Sequence, residues 1–145
     1  MDNITFYTDG SVLPQHGCGG YAAVPLSEDG QADPTRTISG AKPSNDIQEM
    51  ELMAVVTAIR SAPKSHSVTI YTDHKTICDV IARNERSKCE KGRNRNIWNQ
   101  LRQLCQSREI TLHWVRAHAG NLANAAADRA ARTAARNLVT KIAAC

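Results

Sequence analysis

The chain of 145 residues lacks most features that mark membrane, fibrous or low-complexity proteins. Its longest uncharged apolar stretch, Leu52 to Ile59, is far shorter than the roughly 20 residues of a membrane-spanning helix. Eight glycines and five prolines leave no low-complexity segment, which argues against disordered, collagen-like and coiled-coil chains. The first residues lead into a strand-like run without the start of a signal peptide. We therefore expect a soluble, cytoplasmic protein with one domain over 1–145.

Paired cysteines are also missing from the sequence. The five cysteines are an odd number and include no CxxC pair, so neither a disulfide framework nor a zinc site is indicated. Free thiols fit a reducing compartment. For Cys18 and Cys78 the sequence predicts packed thiols without a catalytic role.

The charge is modestly positive and unevenly distributed. The formal net charge is +4 and the isoelectric point is near 8.9, values that permit a polyanionic partner without requiring one. Much of the positive charge lies in one basic segment, which holds Arg83, Arg86, Lys88, Lys91, Arg93, Arg95 and Arg102 against two glutamates. A solvated face and a nucleic-acid-binding surface both remain open for this segment.

Hydrophobic periodicity predicts an alternation of strands and helices. The predicted strands cover residues 3–9, 17–26, 35–39, 67–72 and 109–115, the first ending at the turn-like sequence Asp9-Gly10-Ser11. The predicted helices cover 46–61, 76–83, 95–107 and 121–142. Parallel pairing is expected where helices intervene and antiparallel pairing where turns do, which predicts an α/β fold with a mixed sheet.

One short repetition points to a site. Residues 4–9 and 68–73 share the pattern apolar-Thr-apolar-Tyr-Thr-Asp, so each strand ends on an aspartate with the same side-chain parity. If the helix at 46–61 is the crossover that joins these strands as parallel neighbours, Asp9 and Asp73 lie together at one edge of the sheet. The alternative is that Thr-Asp merely ends each strand.

The helix at 46–61 offers a third carboxylate. At 100° per residue Glu51 falls on the apolar face and is predicted to point toward the sheet, whereas Glu49 is predicted to point into water. A carboxylate on an apolar face is costly unless it is hydrogen-bonded or binds a cation. Since three converging acids repel one another, a hard divalent cation with oxygen ligands is the expected remedy.

Four blocks of the sequence resemble type 1 ribonuclease H. They are Tyr7-Thr8-Asp9-Gly10-Ser11, Gln48-Glu49-Met50-Glu51-Leu52-Met53-Ala54, Tyr71-Thr72-Asp73, and the C-terminal pair His113-Trp114-Val115-Arg116-Ala117-His118-Ala119-Gly120-Asn121 and Ala127-Asp128-Arg129-Ala130-Ala131. They occur in the family's order over nearly the whole chain. The resemblance implies a ribonuclease H-like fold, a five-stranded mixed sheet with helices on both faces.

The resemblance also implies an activity and its residues. Asp9, Glu51, Asp73 and Asp128 match the four metal-binding acids, which would hold two Mg²⁺ or Mn²⁺ ions and cut the RNA strand of RNA–DNA hybrids. His118 matches the loop histidine associated with proton transfer or product release. By motif position, Gly10, Ser11 and Gln48 are candidate minor-groove contacts. From Arg83 to Arg95, the basic segment stands where the family carries a substrate handle. Both tryptophans, Trp98 and Trp114, are predicted to pack in the core.

Two departures from the family pattern leave details open. The third motif continues as Asp73-His74-Lys75-Thr76, where the family usually has serine and an aromatic residue, and the basic segment is shorter than in bacterial members with a full handle helix. A connection-type domain with weakened catalysis is the alternative function, although the four acids argue against it. A ribonuclease H domain of a reverse transcriptase is a second alternative. We expect a monomer unless the chain is part of a larger polyprotein.

Overall fold

A computed structural model describes residues 2–117 and 121–145 of the chain. These residues contain five strands and five α-helices. The strands are β1 (Asn3–Leu13), β2 (Cys18–Pro25), β3 (Ile38–Pro43), β4 (Ser67–Thr72) and β5 (Ile110–Trp114). The helices are α1 (Ile47–Ser61), α2 (Lys75–Ala82), α3 (Arg86–Glu90), α4 (Arg95–Ser107) and α5 (Leu122–Ala143).

The five strands form one mixed sheet in the order β3-β2-β1-β4-β5. β1 pairs antiparallel with β2 across a short turn at residues 14–17, and β2 pairs antiparallel with β3 across a longer connection at residues 26–37. β1 pairs parallel with β4, and β4 with β5, because helical crossovers return the chain to the same end of the sheet. The predicted α/β fold with a mixed sheet is therefore confirmed.

Helices cover both faces of the sheet, and two adjacent glycines of β2 show this directly. A Cβ atom at Gly19 would lie 2.6 Å from the Met50 sulfur of α1, whereas one at Gly20 would lie 2.1 Å from the Ala131 carbonyl oxygen of α5. Successive side chains of a strand point to opposite faces, so α1 and α5 lie on opposite sides. The α5 helix presents a row of small buried side chains to the sheet, Ala123, Ala127, Ala131 and Ala135.

The main hydrophobic core lies between the sheet and the α1 face. Phe6 of β1 and Ile70 of β4 pack there with Leu52 of α1 and Leu101 of α4. Trp98 of α4 is also buried in this core, as the resemblance implied. Burial of Cys18 agrees with its prediction as a packed thiol, and Cys78 is half-buried.

Several sequence predictions are wrong at particular residues. β1 does not end at Asp9 but continues to Leu13, because its antiparallel partner β2 pairs with it as far as that residue. The third strand is not residues 35–39: Asp33 caps a 3₁₀ turn at Pro34–Arg36, so β3 starts at Ile38. Trp114 is not a core residue but 43% exposed, because it lies at the end of the edge strand β5.

The basic segment contains an element that the periodicity did not predict. The helix α3 has only five residues, too few to show a recurring apolar face in the sequence. Its one buried residue, Cys89, packs in the core beside α4. In the part of the chain that the structure describes, no helix combines the length and the apolar character needed to cross a membrane.

Candidate active site

Asp9 and Asp73 are brought together by the register of the parallel pair β1 and β4. Tyr7 pairs with Tyr71 and Thr8 with Thr72, so Asp9 and Asp73 occupy matching positions at one edge of the sheet. The prediction that the two similar strands are parallel neighbours is therefore confirmed. Matching register also gives the two aspartates the same side-chain parity.

Glu51 reaches the same point from α1. Asp46 caps this helix through a hydrogen bond from the Glu49 backbone N–H, and Glu51 falls on the buried face as its periodicity predicted. Gly10 allows the approach, because a Cβ atom there would lie 2.6 Å from the Glu51 backbone nitrogen. Gly10 also donates its backbone N–H to Asp9 Oδ1 at 2.9 Å.

Glu49 points away from this cluster, but it is not simply in water. Its carboxylate accepts hydrogen bonds from Lys42 Nζ at 2.8 Å and from Ser44 Oγ at 2.7 Å. The prediction of a solvent-facing Glu49 therefore needs correction: the side chain links α1 to β3 and to the loop that follows it. The hydrogen bonds from Lys42 and Ser44 hold the pKa of Glu49 below its ordinary value against the opposing effect of partial burial.

One carboxylate oxygen from each of Asp9, Glu51 and Asp73 lies within 4.8 Å of the others. Asp9 is 5% exposed and Glu51 is 4% exposed, whereas Asp73 is only partly buried. The three acids line an open cleft of about 540 Å³, together with Gly10, Asn121, Leu122, Asn124, Ala125, Asp128 and Arg132. Three of the four predicted acids are thus in mutual contact range, and the fourth faces the same cleft.

Burial and mutual repulsion raise the pKa of the two innermost acids. Burial is the main cause of an Asp9 pKa of about 7, and the charges of Asp73 and Asp128 add to the rise. Burial likewise raises the pKa of Glu51 to about 10, with Asp9 as the principal neighbouring charge. Burial and the neighbouring charges therefore favour the protonated form of this pair in the absence of a cation.

Asp128 enters the cleft from the first turns of α5. Asn121 caps this helix by accepting a hydrogen bond from the Asn124 backbone N–H, and its amide donates to the Tyr7 hydroxyl at 2.9 Å. These bonds attach the start of α5 to β1 beside Asp9. Asp128 itself accepts a hydrogen bond from Arg132, one turn later on the same helix.

The carboxylate groups in the cleft are suited to binding a hard divalent cation. All three clustered groups are carboxylates, the ligands that Mg²⁺ and Mn²⁺ favour. Among the described residues, the buried Glu51 Oε2 has no hydrogen-bond partner, and neither does Asn124 Oδ1. A buried carboxylate oxygen without a donor is costly, and a cation satisfies it while relieving the repulsion between the acids.

Gln48 lies at the edge of a second hollow, of about 570 Å³, between the start of α1 and the basic segment. Its side-chain oxygen accepts hydrogen bonds from Trp98 Nε1 and Asn94 Nδ2, both at 3.3 Å. Lys88, Lys91 and Arg93 line the same hollow. The structure thus brings Gln48 together with three of the six basic residues predicted to contact substrate.

The other predicted substrate residues are more scattered. Arg83, Arg86 and Arg95 are exposed but do not line the hollow, and Arg86 pairs with Glu90 within α3. Ser11 is half-buried on β1, just past Asp9. His118, the predicted loop histidine, lies outside the described residues.

Sequence reasoning missed three polar residues of these two hollows. Asn124 lies one helical turn before Asp128, and Arg132 lies one turn after it. Their i, i+4 spacing from the predicted acid could have identified them from the sequence. Asn94 had no comparable signal, because its contact with Gln48 joins residues 46 positions apart.

Comparisons with known proteins agree with this architecture. The family model described as RNase H matches residues 1–136. Ribonuclease HI of Synechocystis sp. is 31% identical over 146 residues, which cover 94% of this chain and 89% of that protein. Ribonuclease H of Trichodesmium erythraeum is 32% identical, covering 93% and 90%, and that of Ehrlichia canis is 33% identical, covering 92% and 94%.

Proposed function

The chain belongs to the ribonuclease H family, and from that membership we propose that it is a two-metal endonuclease. The family hydrolyses RNA in RNA–DNA hybrids and uses divalent metal. Our proposal adds that the products carry 5′-phosphate and 3′-hydroxyl ends. It assigns the metal ligands to Asp9, Glu51, Asp73 and Asp128.

The observation that carries the proposal is the buried cluster of three carboxylates. A purely structural role does not account for it, because the acids raise one another's pKa and leave Glu51 Oε2 without a partner among the described residues. When bound, two divalent ions supply an activated water and stabilise charge on the leaving 3′ oxygen. The residues' own contribution is to hold four carboxylates around one open cleft, where a phosphodiester has access.

The protein would select its substrate by the sugar chemistry and groove shape of the hybrid and not by base sequence. A protein distinguishes RNA from DNA through the 2′-hydroxyl group, and an A-like helix offers it in a wide minor groove. Gly10 and Ser11 follow Asp9 directly on β1, and Gln48 precedes Glu51 by one helical turn, so all three flank the acids. The basic hollow would contact phosphates of the same duplex.

The direct test is cleavage of a hybrid labelled on either strand. We expect metal-dependent cuts in the RNA strand only, no cuts after chelation, and none in an RNA duplex or a DNA duplex of the same sequence. Asp73→Asn should remove the activity. Asp79→Asn, which replaces an acid outside the cleft, serves as the matched control. Hybrid binding without cleavage at any divalent metal concentration would favour the connection-type alternative.

A further inference from the structure

The short helix α3 of the basic segment is anchored to the core by a single thiol. Of its five residues only Cys89 is buried, with 1% of its surface exposed. Lys88, the residue before it, lines the hollow beside Gln48, and so does Lys91, which follows the helix. A chemical change at Cys89 therefore acts on the position of both lysines.

Cys89 shares a cavity with a second thiol. Cys89 and Cys105 of α4 both line a cavity of about 310 Å³, whose apolar wall includes Val80 and Ile110. Cys105 is half-buried and packs against the core cluster that contains Cys89. Burial raises the pKa of Cys105 to about 11, and the charge of Cys89 adds to this rise. The two thiols are thus near enough to act on each other across one cavity.

The same cavity carries an excess of positive charge. Arg102 lines it, and the buried Arg102 Nε has no hydrogen-bond partner in the part of the chain that the structure describes. Its Nη1 atom lies 3.7 Å from a Glu90 oxygen that also pairs with Arg86, so two cations share one carboxylate. Burial raises the pKa of Cys89, and the charge of Arg102 opposes this rise. A cation beside two thiols favours reaction with an anionic reagent that contains a reactive sulfur.

We propose that Cys89 and Cys105 form a modification site that reacts with an anionic low-molecular-weight disulfide, such as glutathione disulfide, and closes to a disulfide bond between α3 and α4. One cysteine thiolate attacks a sulfur of the reagent, forms a mixed disulfide and releases one glutathione thiolate. The other cysteine thiolate attacks the protein sulfur of the mixed disulfide and releases the second glutathione thiolate. Each released thiolate takes up the proton that a cysteine lost, so two cysteine thiols are oxidised and one disulfide is reduced to two thiols.

Closure of this bond should weaken binding of the hybrid, a consequence that rests on the proposed function. Cys105 lies two helical turns beyond Trp98, about 10 Å further along α4. The hollow that Lys88 lines is at the start of the same helix, beside Asn94 and Trp98. A bond from Cys89 to Cys105 therefore draws α3, and Lys88 with it, away from the hollow.

The chemical step is tested on the full chain carrying Cys145→Ser, because Cys145 is exposed and would react by itself. After exchange with glutathione disulfide, the mass should fall by two hydrogen atoms, and a peptide containing Cys89 should be joined to one containing Cys105. Dithiothreitol should reverse both changes. Oxidation should also raise the thermal midpoint, because the bond constrains the unfolded chain.

Two controls separate the pair from ordinary thiol reactivity. Cys105→Ala in the same background should form no internal disulfide. Cys78 is also half-buried, and burial raises its pKa to about 11, but its charged neighbour is Asp79 and not a thiol. Cys78 should therefore stay reduced under conditions that oxidise the pair.

Fluorescence anisotropy with a labelled hybrid measures the effect on binding. The oxidised Cys145→Ser protein should bind the hybrid about three- to tenfold more weakly than the same protein after reduction, the range of one lost hydrogen-bonded contact. The same treatment should leave the dissociation constant of the Cys105→Ala variant unchanged.

Three results would overturn the inference. The first is a separate glutathione adduct, or a bond to another cysteine, at either position, and the second is two free thiols under conditions that modify Cys145 of the unsubstituted chain. The third is an oxidised protein that binds the hybrid as tightly as the reduced one. Failure of the proposed function is distinguishable, because it would appear as a reduced protein that neither binds nor cuts a hybrid. The mass and the thermal midpoint then still decide whether Cys89 and Cys105 form the bond.

Discussion

Replacing Asp9 with asparagine should stabilise the metal-free protein at neutral pH. The substitution removes one of the converging charges and keeps the shape of the side chain. Burial, with help from Asp73 and Asp128, raises the Asp9 pKa from 3.8 to about 7. The folded state therefore retains a proton that the unfolded chain has released above pH about 4, and stability is lost as the pH rises toward 7.

The expected size follows from that shift. Each unit of pKa corresponds to about 1.4 kcal/mol, so a change from 3.8 to about 7 is worth about 4 kcal/mol above pH 7. An asparagine amide buried without full hydrogen bonding costs about 1–3 kcal/mol of this. Asp9→Asn should thus gain about 1–3 kcal/mol, or roughly 3–10 °C in Tm for a chain of this length.

The assay is thermal unfolding in a chelator between pH 5 and pH 8, repeated with Mg²⁺. The unmodified protein should lose stability as the pH rises and regain it with Mg²⁺, by about 2.7 kcal/mol at a hundred times the dissociation constant. Asp9→Asn should show a flatter pH profile and little response to Mg²⁺. If the unmodified protein without metal is equally stable across this range, or if Asp9→Asn unfolds more easily at pH 8, the electrostatic reasoning is refuted.

Three further predictions concern catalysis and binding. Glu51→Gln should abolish cleavage, whereas Glu49→Gln should retain most of it because Glu49 accepts hydrogen bonds from Lys42 and Ser44 away from the cleft. Equal losses in kcat would contradict this assignment. The double variant Lys88→Ala/Lys91→Ala should raise the KM for hybrid with little change in kcat, and it should flatten the slope of the logarithm of the binding constant against log salt by roughly 0.7–0.9 per lost phosphate contact. An unchanged slope would indicate that the basic segment is only a solvated face. His118→Ala should slow turnover by about 10²–10⁴-fold, less than loss of an acid, and a single-turnover rate as low as that of an acid variant would contradict a proton-transfer role.

The parts of the site that sequence predicted are those governed by local periodicity. Matching patterns of six residues predicted the neighbouring positions of Asp9 and Asp73, because strand parity and a helical crossover leave little geometric freedom. A period of 3.6 residues assigned Glu51 to the buried face of α1 in the same way. The remaining acid, Asp128, was assigned by its motif.

The errors arose where a distant part of the chain determines the structure. The Asp9-Gly10-Ser11 sequence has the composition of a turn, but pairing with β2 keeps it extended. Trp114 has a core-like residue type, yet its strand is at the edge of the sheet, and its indole donates to the Asp73 carbonyl at 3.2 Å. Neither the sheet order nor the contact of Asn94 with Gln48 is present in local periodicity.

The two adjacent glycines of β2 lie under the two helices that carry acids of the cleft. Gly19 faces Met50, the neighbour of Glu51, and Gly20 faces the backbone of α5, the helix that carries Asp128. A side chain at position 20 meets main-chain atoms and must displace α5, whereas one at position 19 meets only the flexible end of a methionine. Enlarging position 20 should therefore shift α5, which forms the wall of the cleft that carries Asp128, whereas enlarging position 19 should be absorbed by the Met50 side chain. A protein engineer could use position 20 to move Asp128 relative to the other three acids while leaving every cleft residue unchanged.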